Sequence, residues 1–249
     1  MTTEVCLTVD VEDWYEGMAV LGESLARPPG ARSGLSHLHG LLASAEGEPV
    51  VTLFVVGSYA ATVRSELDDL VAGGHEIASH GPDHGRLPHD PAALVEWLRR
   101  GREMIEDVVQ RPVSGFRSPR FDIPPPVGLD GYRSLLAEAG FSYVSDTRRL
   151  GEGSPVRELP VLRVYGFPIG GGSYQRLLPA GALSAALRSA EGPAVLYYHS
   201  YDFGATLPNT TSIRSLAVAK QLVGRGRIAG MFSRILTRYG SKACDRVQR

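Results

Sequence analysis

Short apolar runs rich in β-branched and aromatic residues alternate along this chain with stretches of helical periodicity. That alternation is the strongest constraint on its fold. "VCLTVD" (5–10), "PVVTLFVVG" (49–57), "EIASH" (76–80), "VSGFRS" (113–118), "FSYVSD" (141–146) and "AVLYYH" (194–199) read as buried strands, and "LPVLRVYGFPIGG" (159–171) as one or two more. Between them, Ser58 can cap a helix that Gly73-Gly74 ends. "DPAALVEWLRRGREMIEDVVQRP" (90–112) is an amphipathic helix with an Asp-Pro start and a proline stop, and "LDGYRSLLAEAG" and "LSAALRSA" are two shorter helices. Strands alternating with helices predict an α/β fold built on a parallel sheet or barrel. At 249 residues the chain is expected to be a single domain, 1–249, with a basic amphipathic helical tail from about residue 212.

Composition narrows the partners. A formal charge of -1 supplies no basic face for nucleic acid, so none is expected. "MTTEV" runs straight into the first strand with no signal-peptide pattern, and no apolar run is long enough to span a bilayer, which predicts a cytoplasmic protein. The arginines and apolar residues of the tail read first as a solvated face on a core-packed helix, and second as a helix resting peripherally on the inner face of a membrane. Cys6 and Cys244 have no metal-binding spacing and read as reduced thiols without a catalytic part. The "GGGSY" run (170–174) lacks a dinucleotide or P-loop pattern and reads as a tight turn.

Chemistry gathers at the strand ends, where α/β enzymes place their active residues. The first strand ends in Asp10, Glu12 and Asp13, carboxylates that need a cation, a basic side chain or solvent to coexist. His80 and His84, spaced H-x3-H after the third strand, can converge on one metal ion, and Asp83 between them can orient a ring or cap a turn. Arg117 ends a fourth strand and can hold a carboxylate in its ionised form. His199 closes the last strand, with Ser200 and Asp202 directly behind it.

Taken in order, "LTVDVED", "GHEIASHGPDH", "GFRSPRFDI", "FSYVSD", "ELPV", "GFPIGGGSYQRLLP" and "LYYHSYD" resemble the polysaccharide deacetylases of the NodB homology type, carbohydrate esterase family four. The likeness covers most of the chain. It is nearest to the exosortase-associated, cytoplasmic-type branch, in which "VDVEDW" replaces the commoner "TFDDG". The resemblance implies a distorted (β/α) barrel of about seven parallel strands and a divalent metal, zinc by preference, with Co2+, Ni2+ or Mn2+ as alternatives. It implies Asp10 as general base, His80 and His84 as metal ligands, Arg117 as the clamp on Asp10 and His199 as general acid. The third ligand is Glu12 or Asp13, and Asp13, the shorter carboxylate, matches the family's usual ligand. Arg120 in the third motif and Tyr174 in the glycine-rich segment are candidate substrate-binding residues.

The activity so implied is hydrolytic removal of an N-acetyl group from an amino sugar, free, nucleotide-linked or lipid-linked. Two alternatives use the same barrel: ring-opening of a cyclic amide, as an allantoinase does, and non-catalytic binding of a glycan or metal.

Overall fold

The computed structural model describes residues 4–15, 30–124, 127–146, 153–190, 192–206 and 222–247. Seven strands, β1 (Val5–Val11), β2 (Thr52–Val55), β3 (Glu76–Ser79), β4 (Gly115–Phe116), β5 (Tyr143–Val144), β6 (Arg157–Glu158) and β7 (Ala194–His199), form one parallel sheet. Their order is β6-β5-β4-β3-β2-β1-β7. The sheet curls until its edges nearly meet, and the chain after β6 closes the gap. Val161 N–H donates to the Asp146 carbonyl at 2.9 Å on the β5 side, and Leu162 N–H donates to Val195 of β7 at 2.9 Å. This is the expected distorted barrel.

Period-two alternation sorts the strand residues. Val5, Leu7, Val9 and Val11 of β1 face outward into the main core beneath the helices, while Cys6 joins Phe54, Ala78, Tyr143, Val195 and Tyr197 in a separate cluster lining the barrel. The outer layer contains α1 (Leu35–Ala43), α2 (Arg64–Ala72), α3 (Pro91–Val109), α4 (Gly128–Glu138), α5 (Ala180–Arg188) and α6 (Ile228–Tyr239). The Asp90 carboxylate caps α3 by accepting from Ala93 N–H at 2.9 Å, as the Asp-Pro start predicts. The helix expected after Ser58 is interrupted: a short helix at Gly57–Ala60 passes through a 3-10 turn at Ala61–Val63 before α2 begins, and β-branched Thr62 and Val63 sit at the break.

One region departs from expectation. The glycine run is a close-packed crossing of β7 rather than a free turn. A Cβ on Gly170 would come within 2.8 Å of the Val195 carbonyl, one on Gly171 within 2.7 Å of the Tyr197 ring, and one on Gly172 within 2.8 Å of Tyr198. A short helix, Gly172–Gln175, follows directly. The basic tail, where described, follows the core-packed reading. Its residues 207–221 lie outside the described structure, but α6 packs Ile228, Phe232, Ile235 and Leu236 into the main core, with Phe232 against Tyr198 and Phe203.

Beyond α6 the chain turns under the barrel and plugs its floor. Cys244 and Val247 join the inner cluster, and Cys244 N–H donates to Thr52 Oγ1 at 2.8 Å. Asp245 N–H donates to Glu76 Oε2 at 3.1 Å, and the Arg157 guanidinium donates to the carbonyls of Cys244 and Val247. Cys6 and Cys244 are free and buried together in this floor. Among the described residues no helix is long and apolar enough to cross a membrane.

Candidate active site

At the opposite end of the barrel the strand termini converge. Because β1 alternates, Asp10 and Glu12 follow Thr8 on its inner face while Val11 points outward and Asp13 leaves the strand. The carboxylate that meets the histidines is therefore Glu12, not the favoured Asp13. One ligand atom each from Glu12, His80 and His84 lies within 4.8 Å of the others. Asp13 instead accepts from Tyr15 N–H at 3.1 Å and secures the turn that follows β1. The alternation of β1, continued two residues past Asp10, is the sequence signal that identifies Glu12.

The donor set suits a divalent ion. His80 Nδ1 lies 2.9 Å from the Arg117 carbonyl, which can only accept, so that nitrogen carries the proton and Nε2 is left with its lone pair. Glu12 Oε2 is buried and lies 2.5 Å from His84 Nε2, so the carboxylate and this imidazole face each other directly. Burial alone would raise the Glu12 pKa, but facing His84, with His199 and His80 behind, holds it down at about 2. Burial pushes His80 toward its neutral form, the form in which imidazole binds metal. Two imidazoles and one carboxylate leave open positions for water and substrate.

Asp10 sits beside this cluster under a buried clamp. Arg117, fully buried, donates from Nη1 to Asp10 Oδ1 at 2.6 Å and to Thr8 Oγ1 at 2.9 Å. Its Nε and Nη2 donate to the Ser145 carbonyl at 3.0 Å and to Ser145 Oγ at 2.8 Å, and the guanidinium lies 4.0 Å from the centre of the Phe54 ring. A fork fixed at four points holds the Asp10 carboxylate in one orientation.

His199 approaches from β7. Its Nε2 is 3.7 Å from Glu12 Oε1, and its Nδ1 is 3.5 Å from Asp202 Oδ2, which also accepts from the His199 N–H at 3.0 Å. Tyr201 stacks on the imidazole, ring centres 4.7 Å apart and planes 6° from parallel. Burial works against the protonated ring, but Asp202, then Glu12 and Asp10, outweigh it and raise the pKa to about 9. Ser200 Oγ donates to the Glu12 carbonyl at 3.0 Å and ties the end of β7 to the end of β1. The "SYD" behind His199 thus positions both the ring and its neighbouring strand.

The loop after Arg117 is strained. Arg120 and Phe121 have φ of 61° and 56°, costing about 1–3 kcal/mol each, as at many functional sites. Asp146, a residue not singled out in the sequence, secures it: its Oδ1 accepts from Ser118 N–H at 3.2 Å and its Oδ2 from Tyr132 OH at 3.3 Å. Burial raises Asp146 to about 7 despite those bonds and nearby Arg117. Phe121 packs on Tyr197, ring centres 5.1 Å apart, and closes the wall beside Arg117. Arg120 is partly exposed, its Nε 3.9 Å from Asp122. Tyr174 is 46% exposed, and no side-chain hydrogen bond or ring contact among the described residues joins it to the cluster.

Residues 43–144 match the polysaccharide deacetylase family model. Residues 135–249 match a domain of unknown function (DUF3473). No curated protein matches the chain. Among solved structures, a Mycobacterium smegmatis protein assigned as a polysaccharide deacetylase is 24% identical, with a TM-score of 0.59 over 93% of this chain and 85% of that one. A carbohydrate esterase family 4 pseudoenzyme from Bacillus anthracis aligns at 12% identity and TM-score 0.56, covering 97% of this chain and 63% of its own. Puue allantoinase aligns at 17% and 0.55, covering 96% and 92%. These likenesses establish the NodB-like barrel fold, and within it residues 43–144 are similar to the polysaccharide deacetylases. The same barrel is found in an allantoinase and in a pseudoenzyme, so the reaction has to be argued from the site.

Proposed function

We propose that this protein is a metal-dependent hydrolase that removes the N-acetyl group from an amino sugar. The observation that carries the reading is that Asp10, clamped by Arg117, and His199, 3.7 Å from Glu12, accompany the Glu12, His80 and His84 donor set at one end of the barrel. A binder of metal or glycan has no need of a clamped carboxylate and an acidic imidazole beside the ligands. A divalent ion held by the three side chains, zinc by the preference of imidazole and carboxylate, contributes Lewis-acid polarisation of the amide carbonyl and a more acidic water.

The chain's own residues do the rest. Asp10, oriented by Arg117, accepts a proton from the attacking water. His199, held by Asp202 and Tyr201, gives its proton to the departing amine. Arg120 and Tyr174 are offered as contacts to the sugar, and the exosortase-associated placement rests on "VDVEDW" and "GGGSYQRLLP" alone.

The test is metal content of the purified protein, with acetate release from a panel of N-acetylated sugars before and after chelation, in wild type and Asp10→Asn. About one equivalent of metal and a loss of roughly 10²–10⁴-fold in the folded variant support the mechanism. Turnover that survives both chelation and the substitution refutes it. Ring-opening of allantoin without sugar deacetylation would assign the site to the cyclic amidases instead.

A further inference from the structure

Away from the active site, α5 and α6 diverge around a cavity of about 820 Å3, inside the range of small-molecule pockets, roughly 300–1,000 Å3. Leu183 and Leu187 of α5 face Met231 and Ile235 of α6 across it, giving an apolar floor. Arg176, Arg227, Arg234 and Arg238 line the same space. Arg227, Met231, Arg234 and Arg238 recur at helical spacing along one stripe, opposite the stripe of Ile228, Phe232 and Leu236 that enters the core.

Among the described residues no acid lines this cavity, and the reason lies in the sequence. The tracts 159–190 and 203–244, which supply every residue of the walls, contain no Asp or Glu. A chain with 27 acidic residues excludes them from both sides of one groove. The Tyr239 hydroxyl, also at the cavity, is buried with no hydrogen-bond partner and can donate to a guest. Apolar lining, clustered guanidinium groups and an unused donor describe a site for a molecule with a hydrocarbon chain and a phosphate.

We propose that the groove between α5 and α6 binds a lipid phosphate, with its chain between Leu183, Leu187, Met231 and Ile235 and its phosphate among the arginines. The proposal stands apart from the deacetylase reading, since none of these residues belongs to the catalytic cluster.

The test titrates the full chain calorimetrically with dodecyl phosphate below its micelle concentration, beside neutral decyl maltoside and inorganic phosphate. Saturable one-site binding of dodecyl phosphate is expected, at least about tenfold tighter than either control. Arg234→Gln with Arg238→Gln, and separately Leu183→Glu, should each weaken it by about tenfold while leaving the melting temperature near that of wild type. Equal affinity for decyl maltoside would make the groove merely apolar, and equal affinity for inorganic phosphate would make it a simple anion site. Either result overturns the proposal, as does absence of binding or indifference to the substitutions. A variant that melts early is replaced by Met231→Glu, whose side chain is outside the buried stripe.

Discussion

Glu76 opens β3 on the barrel floor, far from the catalytic cluster, and its carboxyl is buried with donors but no cation. Thr52 Oγ1 donates to it at 2.6 Å, Tyr143 OH at 2.7 Å and Asp245 N–H at 3.1 Å. Burial raises its pKa from 4.5 to about 7, with Asp245 adding repulsion and the hydroxyl donors opposing. The folded state therefore holds this proton more tightly than the unfolded chain. The stabilisation is complete below pH 4.5 and is lost as the pH rises through 7. At 1.36 kcal/mol per pH unit the loss is about 3 kcal/mol, trimmed toward 2 by the partial exposure of the residue. Glu76→Gln copies the protonated form: its oxygen can face Thr52 and Asp245, and its amide can donate to the Tyr143 oxygen. Urea unfolding followed by the fluorescence of Trp14 and Trp97 at pH 5, 6, 7 and 8 reads the difference between the two proteins, so other titrating groups cancel. The variant should exceed wild type by less than about 1 kcal/mol at pH 5 and by about 2–3 kcal/mol at pH 8. A difference that does not change with pH, or a variant weaker at pH 8, would mean that the three donors favour the carboxylate and that the reasoning is wrong.

Other substitutions address the site. Arg117→Gln strands the Asp10 charge inside the barrel and should cost about 3–5 kcal/mol of unfolding free energy, measured with urea at neutral pH. Glu12→Ala should weaken zinc binding by more than about 100-fold in a competition titration, whereas Asp13→Ala should keep most of the affinity, because only Glu12 reaches the two histidines. Gly171→Ala drives a methyl into the Tyr197 ring and should lower stability by about 1–3 kcal/mol, seen as a reduced thermal midpoint.

The sequence makes the strand termini legible because each buried strand is an apolar run that stops on a chemically active residue, as at Asp10, Arg117 and His199. Glu12 was also within reach, since β1 keeps its period of two beyond Asp10, but the family's habit of a short carboxylate pointed to Asp13. The closing segment after β6 is harder to read. Its hydrogen bonds go to β5 at one end and β7 at the other, so it has neither the length nor the alternation of a strand. Gly170 to Gly172 carry no local mark of what they touch, because the need for glycine arises from β7 lying against them. Asp146 and Ser145 follow a strand like many loop residues, and only the return of Arg117 into the barrel gives them a role. The floor built by Cys244 and Val247 leaves no periodic trace at all.

That floor has a consequence for how the protein is made. Of the seven strands β1 is made before the others, yet its second neighbour, β7, and the residues that seat under Cys6 come after all the rest. Throughout synthesis one edge of β1 stays open and the barrel has no bottom, the condition in which exposed strand edges recruit foreign chains. The contact that covers that edge, β1 against β7, is thus among the most widely separated in sequence that the fold must make.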